Sequence, residues 1–282
     1  MSVSAKVAAR IAAGVKKFQP ILAAAKARDI NESDTVIVVM DMLSEIFGYD
    51  KYSEITSEHA IKGTFCDLAI KLDNALALLI EVKAIGLELK EAHIKQAVDY
   101  AANQGVEWVV LTNGVRWRIY KITFAKPIDH ELVIELNMAD LNPRTDEHVE
   151  LVALLSKEGW QKARIGEYHT QRQALSRFFL GAVVLSEPVL EVVRRELKRL
   201  SPGVKIEIDQ IKQVLAHDVI KREVIEGDKA DDARRQFSRA ANKALRVKAK
   251  GADKDEPDEP TGVLVVPPPS ALVSTPNDKP EA

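Results

Sequence analysis

Residues 64–84 read TFCDLAIKLDNALALLIEVKA, two β-prone runs joined by the dipeptide Asp73-Asn74. Asp-Asn is a tight-turn signal, so strands over Thr64–Leu72 and Leu76–Ala84 are expected to form a hairpin. The second run is apolar from Leu76 to Ile80, as a central strand of a covered sheet would be. Its end is not apolar: Glu81 and Lys83 stand one residue apart. Side chains two apart in a strand share a face, so Glu81 and Lys83 project together, with Val82 opposite. Asp67, in the middle of the neighbouring strand, can reach the same place.

The flanking residues fix the surroundings. Val36, Val39, Met40, Leu43 and Phe47 recur at helical spacing until Gly48 stops the helix. Ser53–His59 reads as an edge strand. Glu88–Gln104 reads as a helix with Leu89, Ile94, Ala97 and Ala101 inward. Trp108–Thr112 and Val115–Ile122 are short strands around the hairpin turn Asn113-Gly114. The predicted order is helix, three strands, helix, two strands. A helix between the third and fourth strands implies a crossover, and hence an α/β fold: a mixed sheet flanked by helices.

Composition divides the rest. Residues 1–30 form an Ala- and Lys-rich helical extension, expected to break at Pro20. Residues 31–142 hold the sheet, and residues 143–250 read as a mainly helical accessory domain. In it a helix ends near Ser156–Gly159, Ala174–Leu185 is an apolar helix, and Ser186 starts another with Val192, Val193 and Leu197 inward. Ile206–Leu215 is a further helix, Val219–Val224 a short strand, and Arg234, Arg235, Arg239, Lys243, Arg246, Lys248 and Lys250 mark a basic helix. From Gly251 to Ala282 the chain is acidic and proline-rich, a disordered tail by composition. The net charge of −2 carries no global signal for a nucleic-acid or membrane partner, although an acidic tail can mask a basic face. No stretch approaches the roughly 20 apolar residues of a membrane span, and no signal peptide is recognisable. With a single cysteine, Cys66, no internal disulfide or cysteine metal cluster is possible. These features predict a cytoplasmic protein.

Two carboxylates and an ammonium on one sheet face suit metal-assisted phosphodiester hydrolysis. Mg2+ takes oxygen ligands and keeps several waters, so Asp67 and Glu81 suffice, and Mn2+ can substitute. The ion polarises the phosphoryl oxygen, and Lys83 can orient or deprotonate the attacking water or offset charge on phosphorus. The plainer alternative is three ordinary charges on a solvated strand face. Against it, a charged pair ending an apolar central strand is costly without partners or a metal.

Several further features accompany this set: Gly63-Thr64-Phe65-Cys66-Asp67, Glu81-Val82-Lys83, Gln96 and Tyr100 one helical turn apart, Asn31-Glu32-x-x-Thr35, and Phe47-Gly48-Tyr49. Together they make residues 31–122 resemble the N-terminal nuclease domain of type I restriction enzyme R subunits, a branch of the PD-(D/E)XK superfamily. Cys66 stands where the superfamily motif has proline. The resemblance implies that Asp67 and Glu81 bind the metal, that Lys83 is catalytic, and that Gln96 and Tyr100 brace the site. It also implies a third carboxylate on the first helix. Of Glu32 and Glu45, Glu32 lies on the stripe of Val36, Val39, Leu43 and Phe47, so Glu32 is the choice; its alternative role is to favour the helix N-terminus. The R subunits continue into a helicase motor, but this sequence holds no G-x-x-x-x-G-K-[ST] phosphate loop, so no ATP site is assigned.

Other residues carry weaker expectations. Lys62, Lys90, Lys95, Arg116 and Arg118 are candidates for holding DNA phosphates, or are solvating charges. Cys66 reads as a small buried hydrophobe. The six histidines lack metal-ligand spacing, with His93 either lining the cleft or on a solvated face. Trp108 and Trp117 either pack the sheet or stack on bases. Functionally, the sequence points to a DNA endonuclease in restriction or defence, alone or with a helicase or methyltransferase subunit. The alternatives are a non-catalytic nucleic-acid-binding or assembly protein of the same fold, and a DNA-repair nuclease of the superfamily.

Overall fold

The structure, a computed structural model, describes residues 3–61, 64–124 and 127–252. Packing divides the chain into two compact units, Met1–Leu175 and Ser176–Ala282, whereas composition suggested divisions at 30/31, 142/143 and 250/251. The expected tail lies, from residue 253 on, outside the described residues.

The first unit opens with helix α1 (Ala5–Ala27), capped by the Ser4 hydroxyl. The expected break at Pro20 does not occur. Pro20 is exposed, while Ile11, Val15, Phe18, Leu22 and Ala25 form one buried stripe that runs past it. A helix-interior proline costs about 3 kcal/mol; burying each large apolar side chain returns about 1.5–3 kcal/mol, so tertiary burial wins. Helix α2 (Glu32–Glu45) follows, with Asn31 accepting the Asp34 N–H at 2.9 Å as its cap.

Six strands follow in spatial as well as chain order: β1 (Ile55–Ile61), β2 (Thr64–Leu72), β3 (Ala75–Val82), β4 (Trp108–Thr112), β5 (Arg116–Thr123) and β6 (Asp129–Asn137). Helix α3 (Glu91–Gln104) crosses between β3 and β4, which pair in parallel; all other neighbours are antiparallel. Asp73 and Asn74 both have positive φ, 50° and 62°, the conformation a two-residue hairpin turn demands.

The sixth strand corrects the expected five. Its run ELVIEL is not a clean alternation, because Val133 and Ile134 are both buried. The register explains this: Ile119 faces Ile134 but Tyr120 faces Leu132, so Val133 is the extra residue of a bulge. An irregular register hides a strand from any search for period two.

The sheet has two covered faces. Leu68, Ile70, Ile80, Val82 and Trp117 share one core with α1 and α2. Ala69, Leu79, Val109 and Leu111 share the other with Ile94, Ala97 and Tyr100 of α3. Helices α4 (Asp146–Leu154), α5 (Lys157–Gln161) and α6 (Arg164–Ala174) complete the unit, with α4 against α1. Helix α4 ends at Leu154, just before the expected end near Ser156–Gly159, and Ser156 then caps α5, accepting the Gly159 N–H at 3.1 Å.

The second unit contains α7 (Arg177–Val184), α8 (Glu187–Leu200), α9 (Ile208–Val214), a π-helical turn (Leu215–Val219), α10 (Arg222–Ile225) and α11 (Asp228–Ala252). Ser176 caps α7 through the Phe179 N–H, which divides the apolar run expected as one helix. The strand expected over Val219–Val224 is instead the end of the π turn and the start of α10; its branched residues lack a strand to pair with among the described residues. On α8 Leu190 is buried, while Val192 and Leu197, expected inward, are exposed. No helix of the described residues is long and apolar enough to cross a membrane.

Candidate active site

The β2–β3 hairpin and the parallel β3–β4 pair bring the site together. The β2–β3 ladder ends at Leu68 opposite Ile80. One residue beyond it, Asp67 takes over with its side chain, its Oδ2 accepting the Val82 N–H at 2.7 Å. On the other side of β3, Glu81 faces Leu111 and Val82 faces Thr112, and the Lys83 N–H donates to the Thr112 carbonyl at 2.8 Å. The end of β3 is thus held from both flanks. Glu81 shares strand parity with Leu79, so it lies on the α3 face of the sheet.

Glu81 is 5% exposed and is the one charged residue buried among those described. Its Oε1 accepts from the Lys83 ammonium at 2.8 Å. The same ammonium lies 3.4 Å from Oε1 of Glu32, the first residue of α2. Lys83 is 17% exposed and Glu32 48%. The structure therefore brings together four of the expected residues: Asp67, Glu81, Lys83 and Glu32. Glu45, the rejected alternative, pairs with Lys17 of α1 instead.

The electrostatics follow from burial. Desolvation raises the carboxyl pKa of Glu81; its bond to Lys83 opposes this, and the charge of Asp67 adds to it. Asp67 is likewise raised, chiefly by burial, against the Val82 N–H and the Lys83 charge. For Lys83, burial pulls the pKa down, but the bond and charge of Glu81, with Glu32 and Asp67, outweigh it and leave the amine raised. Three carboxylates and one ammonium, when all are ionised, leave two net negative charges.

One atom stands out. Glu81 Oε2 is buried without a hydrogen-bond partner among the described residues. An unsatisfied buried acceptor costs about 1–3 kcal/mol, more when charged. A carboxylate oxygen buried beside a second carboxylate is a donor set for a hard, oxygen-seeking cation, so the residues fit a divalent ion. They do not form a complete cage: no group of three or more His, Cys, Asp or Glu among the described residues is gathered to hold a metal. Mg2+, which retains waters, needs no such cage.

The other expected residues have separate places. Gln96 donates to the Tyr100 hydroxyl across one turn of α3. Tyr100 is buried in the α3-side core and Gln96 is exposed; among the described residues no hydrogen bond or ion pair joins either to Asp67, Glu81 or Lys83. His93 caps α3, its Nδ1 accepting the Lys90 N–H at 3.1 Å. Cys66 is fully buried, and burial, then the charges of Glu81 and Asp67, push its thiol up to about 12, so it is inert at neutral pH. Trp117 is buried with its ring 5.0 Å from Phe47, and Trp108 meets Trp160 edge-on at 6.0 Å. Both tryptophans pack the core, and neither offers a free face for base stacking.

Of the basic candidates, Lys90 and Lys95 are exposed at the start of α3, and Lys62 lies outside the described residues. Arg116 and Arg118 share Glu135 at 3.5 and 3.0 Å, and Arg118 also donates to the Leu89 carbonyl at 2.7 Å. The two arginines, Lys26, Glu88 and Asn113 line a cleft of about 200 Å3 beside Gly86. In the second unit, Arg234 and Arg235 of the basic helix α11 are paired with Asp231 and Asp232 one turn earlier.

Sequence reasoning missed two contributors. Glu135 sits on the unrecognised strand. Asn113, read only as a turn residue, is buried and makes four side-chain hydrogen bonds: two close the turn at Val115 and Arg116, and two tie it to Ile85 and Leu87 after Lys83. The Asn-Gly signature announced the turn but not this reach.

Residues 38–134 match the family described as Type I restriction enzyme R protein N terminus, about a third of the chain. The matched segment contains Asp67, Glu81, Lys83, Gln96 and Tyr100 and ends inside β6; Glu32 lies before it. No curated protein and no solved structure matches the chain.

Proposed function

We propose that residues 31–142 form a restriction-type nuclease domain that hydrolyses DNA phosphodiester bonds with Mg2+, or with Mn2+ in its place. Asp67 and Glu81 are the metal ligands and Lys83 the catalytic ammonium in this reading. Its main support is Glu81, a buried carboxylate with an unpartnered oxygen, next to a second carboxylate and a lysine, inside a segment matched to a restriction-enzyme family.

One divalent cation would neutralise the two net negative charges of Asp67, Glu81, Glu32 and Lys83. Bound there, it would polarise a phosphoryl oxygen and acidify a water. Asp67 enters the reaction already oriented, because the Val82 N–H holds one of its oxygens. Lys83, kept protonated by its carboxylate neighbours, orients the attacking water and offsets the charge that develops on phosphorus. Lys90, Lys95, Arg116 and Arg118 would carry the flanking phosphates, with a salt-sensitive contribution to affinity. Gln96 and Tyr100 would brace α3 beside the cleft. A helicase or methyltransferase subunit is the partner class this reading implies, in the cytoplasm, with ATP-driven steps assigned to none of the residues of this sequence.

A second reading, DNA binding without cleavage, draws on one observation: Lys83 already occupies one oxygen of Glu81 and Val82 one of Asp67, so few ligand oxygens remain. The experiment that separates the two uses supercoiled plasmid and single-stranded DNA with Mg2+, Mn2+ or EDTA, wild type against Asp67→Ala. Metal-dependent cleavage lost in the variant supports the nuclease. Binding of DNA with neither cleavage nor calorimetric metal binding overturns it.

A further inference from the structure

The β4–β5 turn does more than reverse the chain. Thr112 accepts the Lys83 N–H on its carbonyl at 2.8 Å. Its hydroxyl donates to the Arg116 carbonyl at 2.8 Å and accepts the Gly114 N–H at 3.0 Å, which closes the turn on itself. Asn113 then joins the turn to the strand that carries the catalytic pair. Its amide nitrogen donates to the carbonyls of Leu87 at 2.9 Å and Ile85 at 3.3 Å, four and two residues after Lys83. Its amide oxygen accepts the N–H groups of Arg116 at 2.7 Å and Val115 at 3.1 Å. All the polar capacity of this buried side chain is thereby directed at two backbone segments.

The segment after Lys83 has no strand partner of its own among the described residues, since β3 ends at Val82. Asn113 supplies the missing ladder. Behind it the turn cannot drift: a Cβ on Gly114 would meet Leu22 of α1 at 3.3 Å, and its φ of +79° is held for a residue without a side chain. On the opposite side of the segment, a Cβ on Gly86 would collide with the Asp29 carboxylate. The chain leaving Lys83 is therefore clamped between the α1–α2 connection and the Asn113 amide.

We propose that Asn113 is a positioning residue for the catalytic site: by holding Ile85 and Leu87 it fixes the backbone of Lys83, and so keeps the ammonium between Glu81 and Glu32. The proposal rests on the nuclease reading for its effect on cleavage, but its structural half stands apart from that reading.

The test uses Asn113→Asp in the full chain. Its carboxylate still accepts from Val115 and Arg116, so the turn survives, but it cannot donate to Ile85 and Leu87. Ile134→Val, in the distant strand β6, is the control for a general loss of stability. Two readouts are taken at a temperature where all variants are folded. Hydrogen exchange of the Lys83 amide, which donates to Thr112, should be at least tenfold faster in Asn113→Asp and unchanged in the control. In the metal-dependent plasmid assay, kcat should fall at least tenfold in Asn113→Asp while KM and DNA affinity stay within about threefold. Unchanged exchange at Lys83, or a kcat equal to that of Ile134→Val, overturns the proposal. If the wild type cleaves nothing, the nuclease reading fails alone, and hydrogen exchange still decides whether Asn113 holds Lys83. Should Asn113→Asp not fold, Asn113→Ser, which keeps a short acceptor for the turn but cannot span to both carbonyls, is read in the same way.

Discussion

Asp67 and Val82 are joined by a bond that is neither strand ladder nor solvated charge: the Asp67 carboxylate accepts the Val82 N–H at 2.7 Å where the β2 backbone has stopped pairing. One oxygen of the candidate metal ligand is thus a structural cap on the strand that carries Glu81 and Lys83. The two roles can be separated. Asp67→Asn keeps an oxygen that can accept from Val82, whereas Asp67→Ala leaves the N–H bare. Thermal denaturation should show Asp67→Asn near wild type and Asp67→Ala lower by about 1 kcal/mol. Cleavage should be lost in both, because neither carries the carboxylate charge. An active Asp67→Asn would leave the residue with the structural role alone.

Lys83→Met removes the ammonium and keeps most of the side-chain volume. Metal-dependent cleavage should fall by about a hundredfold or more, the scale of losing a positioned proton-transfer or charge-stabilising group. DNA affinity at fixed salt should change little, since a single charge leaves the basic rim intact. Removing the ammonium also leaves Glu81 buried with neither oxygen paired, so its carboxyl pKa, already raised by burial, should climb further. Carbon-labelled NMR titration of Glu81 reads that shift; an unmoved titration would mean that the 2.8 Å pair is not maintained in solution.

Much of this site was legible in the sequence because it rests on period two and a short turn. The Asp-Asn turn announced the hairpin that carries Asp67 beside Glu81 and Lys83, but not the bulge at Ala77, between the pairs Lys71–Leu76 and Ile70–Leu78, that brings Asp67 level with Glu81 rather than Ile80. Glu32 was reachable through the helical stripe it shares with Val39 and Leu43. The failures have equally local causes. Strand β6 escaped because a bulge at Val133 breaks the alternation. Pro20 misled because local propensity argues against the helix, while five buried side chains on one stripe argue for it. The Asn113 clamp was out of reach: four hydrogen bonds to segments 26–28 residues away or next in the turn leave no trace in a pattern of residue types.

Metal should stabilise the first unit through the same carboxylates. A ligand that binds only the native state at a hundred times its Kd adds about 2.7 kcal/mol. In a domain of this size, that corresponds to a rise of several degrees in Tm. Mg2+ or Mn2+ should therefore raise the Tm of the wild type and leave Asp67→Asn and Glu81→Gln unmoved. The effect should strengthen as pH rises through the range where the raised Asp67 and Glu81 carboxyls ionise, because the ion competes with their protons. A Tm insensitive to either ion at millimolar concentration would argue against the metal site.

Acid stability should be set elsewhere, by Arg10 and Glu158. Both terminal guanidinium nitrogens of Arg10, Nη1 and Nη2, meet the Glu158 carboxylate at 2.7 Å, and the same side chain donates to the carbonyls of Ile46 and Phe47 at the end of α2. The Arg10 hydrogen bonds hold the Glu158 carboxyl at about 2, down from its ordinary 4.5. A carboxylate whose pKa is lower in the folded chain stabilises the fold above its unfolded pKa, and loses that contribution as pH falls towards the folded one. The pair should therefore support the first unit at neutral pH and give way between about pH 4.5 and pH 2. Its energy is modest, since Glu158 is 40% exposed and water screens the pair. Glu158→Gln should lower Tm slightly at pH 7 and flatten the dependence of Tm on pH below 4.5, with α1 the first helix to lose hydrogen-exchange protection. Parallel curves for wild type and variant over that range would show that the Arg10 fork contributes nothing beyond the two carbonyl bonds.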